Sequence, residues 1–106
     1  MPTGFPHGPI VALSWRVTPE RRAEMLAVLR EAFPFYERPG GIEMALFEDA
    51  DRPGTFLEIA AYADRAAYDA DQKRVEDDPA MRAMLAKWRA LVDGEVDVRR
   101  MMPVTV

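Results

Sequence analysis

Hydrophobic and polar positions along this chain repeat with two different periods, and their order predicts β-α-β-β-α-β. From Ile10 to Val17, the apolar set Val11, Leu13, Trp15 and Val17 alternates with Ile10, Ala12, Ser14 and Arg16, the period-two pattern of a strand. Thr18-Pro19-Glu20 then offers a capping hydroxyl, a proline at the first helical position and an acid at the positive end of a helix dipole. Met25, Val28, Leu29, Ala32 and Phe33 follow at helical spacing and form one stripe. Pro34 disfavours helical backbone in the residue before it, which predicts that this helix ends at about Phe33. Residues 34–41 are then a loop carrying Phe35 and Tyr36.

Ile42–Asp49 and Thr55–Tyr62 read as a hairpin around the turn Asp49-Ala50-Asp51-Arg52-Pro53-Gly54. In its second strand Leu57, Ile59 and Ala61 alternate with Phe56, Glu58, Ala60 and Tyr62, so a carboxylate stands in the middle of an apolar run. Asp64 is a candidate cap for a helical segment over about 65–76. Asp77-Asp78-Pro79 restarts the helix, with Met81, Met84, Leu85, Trp88, Leu91 and Val92 on one face and Gly94 as its terminator. Glu95–Met102 is the last strand. The aspartate pair before Pro79 reads as a cap and not as a metal site.

Composition narrows the class. A chain of 106 residues with 49% hydrophobic and 30% charged positions is one folded domain with a small core. We divide it into an irregular, proline-rich arm over residues 1–9 and a single domain over residues 10–106. A net charge of −4 argues against nucleic acid and anionic membranes as partners. The chain holds no cysteine, which removes disulfides, thiolate nucleophiles and thiolate metal sites. The arm lacks the basic and apolar regions of a signal peptide, and no apolar run approaches membrane-spanning length, so a cytoplasmic protein is expected. Arginine far outnumbers lysine, a codon-usage trait of GC-rich bacterial genomes.

Two right-handed βαβ halves predict a ferredoxin-like α+β fold: a four-stranded antiparallel sheet, order 4-1-3-2, with the helices on one face. The other face is expected to carry Ile10, Ala12, Phe56, Ala60 and Met101 together with Ser14, Arg16, Glu58 and Arg99. So large an apolar surface is rarely left wet, and the same face of a second copy is its simplest cover, which predicts a homodimer.

The run TFLEIAAYADRAAYDADQKRVEDDPAMRAMLAKWRALV, followed by a strand ending in Met-Met-Pro, resembles the dimeric α+β barrel superfamily. It is similar in particular to the NIPSNAP and antibiotic-biosynthesis-monooxygenase branches. The pattern is a strand, an aromatic with an acidic cap, a helix, an Asp-Pro restart and a tryptophan, and the likeness spans about residues 9–103. The resemblance implies a pocket between sheet and helices for a small, planar, partly apolar ligand. It also implies cofactor-independent oxygenation, haem degradation, aldoxime dehydration or ligand binding as activities. The oxygenase and haem branches use an Asn with a Trp, and the haem branch adds a His on the second helix. This chain contains no Asn, and Tyr68, Asp69, Asp71 and Gln72 stand where that His would fall. No haem, other cofactor or metal is therefore expected.

Two functions follow. One is an enzyme, a cofactor-independent monooxygenase or isomerase acting on a small aromatic or quinone-like substrate. Glu58 would be its base, Arg16 the oxyanion partner, and Trp88, Tyr62, Ser14, Tyr68 and Arg99 would contact the ligand. The other is a non-enzymatic, stress-associated dimer that binds a small hydrophobic ligand. Glu58 itself has two readings. It is either a base whose pKa is raised by burial, or one half of an ion pair with Arg16 or Arg99 across neighbouring strands. His7, the one histidine, is most simply a solvated residue of the arm, because a metal site needs three or four ligands. Trp15, Met81 and Met84 are most simply core.

Overall fold

The computed structural model describes residues 5–106. The elements run β1 (Ile10–Arg16), a 3-10 turn (Pro19–Arg21), α1 (Arg22–Glu37), β2 (Ile42–Glu48), β3 (Thr55–Tyr62), α2 (Arg65–Asp77), α3 (Pro79–Arg89) and β4 (Asp97–Met101). The four strands form one antiparallel sheet in the order β2-β3-β1-β4, and the fold is ferredoxin-like, as the element order predicts. Residues 1–4 of the expected arm lie outside the described residues. Pro9 is buried, and its carbonyl accepts from the Tyr62 amide at 3.0 Å, which lengthens the β1–β3 pairing by one bond.

Both acidic caps form. Asp64 accepts from the Ala67 amide at 2.8 Å, and Asp78 accepts from the Ala80 amide at 2.9 Å with Pro79 just inside the helix. The Thr18 hydroxyl caps nothing; its backbone carbonyl instead accepts from Arg21 in the short 3-10 turn.

Two helix ends differ from expectation. The first helix passes through Pro34 and continues to Glu37. A proline so near the end costs one intrahelical bond, and the stripe Met25, Leu29, Ala32, Tyr36 keeps burying side chains beyond it. The last carbonyls are served from outside: Arg74 of α2 donates to the Phe35 and Tyr36 carbonyls at 2.6 and 3.1 Å, and its guanidinium lies over the Phe35 ring. At the other end α3 stops at Arg89, five residues before Gly94. There the Asp93 amide donates to the Arg16 carbonyl at 2.8 Å, so the chain leaves the helix to close against β1. Gly94, at φ +85°, makes the later turn into β4.

The sheet register corrects the expected faces. Val11 pairs with Ala60, Leu13 with Glu58 and Trp15 with Phe56, so Phe56, Glu58, Ala60 and Tyr62 lie under the helices. The open face instead carries Leu57, Ile59 and Ala61 of β3 beside Ile10, Ala12, Ser14 and Arg16. Ala45 and Phe47 of β2, and Arg99 and Met101 of β4, complete it. Strand β3 is apolar on both sides, so its own alternation does not say which side turns inward. Pairing of Phe56 with Trp15 does, because the two rings then stack 4.9 Å apart in the core with Trp88 edge-on at 5.8 Å.

Candidate active site

A cavity of about 580 Å³ lies between the covered sheet face and the helices, the size range of small-molecule sites. Its walls are mainly apolar, with Val11, Leu13, Met44, Met81, Leu85 and Val98 among them. Its exposed members lie on the end of α2 (Val75), on α3 and on the edge strand β4, so it opens to solvent along that side. The polar groups on its surface are few: Tyr36, Glu58, Tyr62, Asp71, Gln72 and three arginines.

Glu58 is the most unusual of these. It is 7% exposed, and its neighbours across the sheet are Leu46, Leu13 and, one strand further, Val98. Among the described residues it forms no ion pair. Arg16 lies 4.0 Å from Asp93, Arg99 lies 2.9 Å from Asp97, and both arginines are on the opposite face of the sheet. The expected pairing of Glu58 with either arginine is thus overturned by the register. Loss of hydration with no compensating charge pushes the carboxyl up to about 7. A group poised at that value takes or gives a proton at neutral pH with little bias.

The phenols around it are held neutral. Burial raises the Tyr36 pKa, and the negative charges of Glu58 and then Asp71 raise it further. The Tyr62 pKa is also raised, by burial first and then by its hydrogen bond to Asp71. Tyr62 donates to Asp71 Oδ2 at 2.5 Å, while Asp71 Oδ1 is buried without a hydrogen bond and lies 3.8 Å from Arg74. Tyr62→Phe removes the one hydrogen bond that Asp71 accepts. We expect a loss of about 1–3 kcal/mol in urea melts, the cost of leaving a buried acceptor unmade; an unchanged midpoint would contradict this account.

Of the residues expected at the site, Glu58, Tyr62 and Trp88 line the cavity. Tyr68 is buried against Tyr62, edge to face at 5.3 Å, but does not line it. Ser14, Arg16 and Arg99 do not line it either, because all three lie on the open sheet face. Tyr36, a loop phenol in the sequence pattern, and Arg100 also line the cavity, although neither belongs to the expected site set. Continuation of the α1 stripe past Pro34 signals the first. Alternation along β4 holds the second, since Arg100 pairs with Val11 on the helix side. The indole N–H of Trp88 is buried with no acceptor. Among the described residues no cluster of His, Cys, Asp or Glu could hold a metal ion, and no helix is long and apolar enough to cross a membrane.

Solved structures share this architecture. A mutant of SnoaB, a cofactor-independent oxygenase from Streptomyces nogalater, superposes with a TM-score of 0.76 at 17% identity, covering 94% of this chain and 96% of that one. A protein described as an antibiotic biosynthesis monooxygenase gives a TM-score of 0.73 at 22% identity, covering 92% and 99%. A Mycobacterium tuberculosis protein gives 0.70 at 21% identity, covering 92% and 97%. At these identities the likeness speaks for the fold alone. No curated protein gives a significant match. A family model, however, matches residues 10–87, the stretch from β1 through most of α3 that builds most of the cavity. On that match the chain belongs to the antibiotic biosynthesis monooxygenase family.

Proposed function

We propose that this protein is a cofactor-independent monooxygenase of a small aromatic substrate, a hydroquinone or an anthrone-like ring system. The observation that carries the reading is a lone carboxyl, Glu58, poised near neutral pH on the wall of an apolar cavity. Oxygenation without a cofactor needs a substrate that forms a stabilised carbanion. In an anthrone, Glu58 removes one proton from the methylene between two rings, and the negative charge spreads onto the ring carbonyl oxygen. In this reading the Tyr36 phenol on the cavity wall, held protonated by burial, donates to that oxygen. The carbanion passes one electron to dioxygen, and the two radicals combine to form a C–O bond. Loss of the second methylene proton then breaks the O–O bond, leaving a quinone carbonyl and one water. The apolar walls of the cavity orient the ring.

The family's Asn is absent here, and the Glu58 carboxyl with the Tyr36 and Tyr62 phenols supplies the polar groups in its place. The test is an oxygen electrode with anthrone as substrate. Protein-dependent uptake of one dioxygen per anthraquinone formed, lost in Glu58→Gln, is expected. Stoichiometric binding of anthrone with no uptake would overturn the enzyme and leave a ligand-binding module.

The active form in this reading is a two-fold dimer packed sheet to sheet. Ala12, Ala45, Phe47, Leu57, Ile59 and Met101 make the open face apolar, with Phe47 at 56% and Met101 at 46% exposure. Analytical ultracentrifugation should give twice the 12.0 kDa chain mass; a stable monomer at micromolar concentration would contradict it.

A further inference from the structure

Three arginines border the cavity: Arg82 and Arg89 on α3 and Arg100 on β4. Arg82 and Arg89 are seven residues apart, so they share one side of the helix at separations of about 10 Å. Arg100 stands across the opening on the edge strand. Among the described residues none of the three forms an ion pair. Arg82 donates to the Glu76 backbone carbonyl, and the side chains of Arg89 and Arg100 make no hydrogen bond. In a chain of net charge −4, three cations converge on the mouth of one apolar cavity.

We propose that the cavity takes an aromatic acid: a flat apolar ring system that carries a carboxylate, held at the mouth by Arg89, Arg100 and Arg82. The proposal rests on the oxygenase reading for what happens to the ring, and on the arginines alone for the charge. The sheet sets the length of the ligand. Arg100 sits in the same row as Val11 and Ala60, and Glu58 sits in the next row with Leu13, two strands away from β4. With strands about 4.8 Å apart and same-face neighbours about 6.6 Å apart, the two positions are roughly 12 Å apart. A two- or three-ring aromatic spans that distance, with its acid at the arginines and its far ring carbon at Glu58. Low-dielectric walls focus the field of the three guanidiniums along the opening and raise the local concentration of an anion. Planar guanidinium forks match a carboxylate in a way that an ammonium would not.

The probes are 2-naphthoate and 2-naphthamide, which differ in charge and hardly in shape. Calorimetric titration of the full chain should show the acid binding at least about tenfold tighter than the amide. That preference should shrink as ionic strength rises, because all three arginines are exposed. In Arg89→Gln/Arg100→Gln the preference should vanish while the amide keeps its affinity. Equal affinities in the natural protein, a preference that survives in the double variant together with Arg82→Gln, or no binding of either probe would each overturn the proposal. Failure of the oxygenase reading is separable. A protein that prefers the acid but consumes no oxygen sinks only the reaction, and an active oxygenase indifferent to charge sinks only this inference.

Discussion

Glu58→Gln should make the protein more stable at pH 8 by roughly 2–3 kcal/mol and should abolish oxygenation. The sign follows from the direction of the shift. Burial raises the carboxyl from the usual 4.5 to about 7, so the folded state binds the proton more tightly than the unfolded chain. Its contribution is therefore most favourable below the unfolded value. It is lost as pH rises from about 4.5 to 7 and stays lost above that. Glutamine resembles the protonated acid and has no such loss. Urea melts of both proteins at several pH values should give curves that converge toward pH 4.5 and separate by pH 8. A variant less stable than the parent at pH 8 by 1–3 kcal/mol would instead mean that Glu58 is half of an ion pair. A difference that does not change with pH would remove the raised pKa, and with it the argument for a proton-transfer role.

Trp15→Ala should cost about 3–5 kcal/mol, a large share of the stability of a domain this size. Trp15 is 1% exposed, stacks on Phe56 and meets Trp88 edge-on, so truncation opens a void where sheet and helix α3 are held together. Thermal unfolding should shift down by at least about 15 °C. Its indole N–H has no acceptor, so nothing of the cost is a lost hydrogen bond. Trp15→Phe should accordingly be the milder change, smaller than the alanine variant by about half. Equal losses in the two variants would mean that the N–H matters more than the ring, and an alanine variant within 1 kcal/mol of the parent would mean that the cluster does not hold the layers together.

What could be read without coordinates was local. A strand declares itself through period-two alternation, a helix through its stripe, and a helix start through Asp64 or Asp78-Pro79, because each depends on residues a few positions apart. Element order then limits the topology, since crossovers are right-handed and connections short. On that basis the four strands, their order and the helical layer were all legible, and so was the presence of an odd carboxylate at position 58.

What only the tertiary structure decided was which neighbours these residues meet. Strand β3 is apolar on both sides, so the choice of inward face came from its pairing with β1, which sets Phe56 on Trp15 and Glu58 on Leu13. That same register separates Glu58 from Arg16 and Arg99 and surrounds it with leucines, which turns an expected ion pair into an isolated acid. Arg99 and Arg100 are adjacent in sequence and point to opposite faces, and only the pairing of Arg100 with Val11 puts it at the cavity. Tyr36 reached the cavity because Arg74 serves the carbonyls at the end of α1 and lets the helix run past Pro34. Each of these outcomes depends on contacts between distant parts of the chain, and alternation within one segment carries no information about the segment it will face.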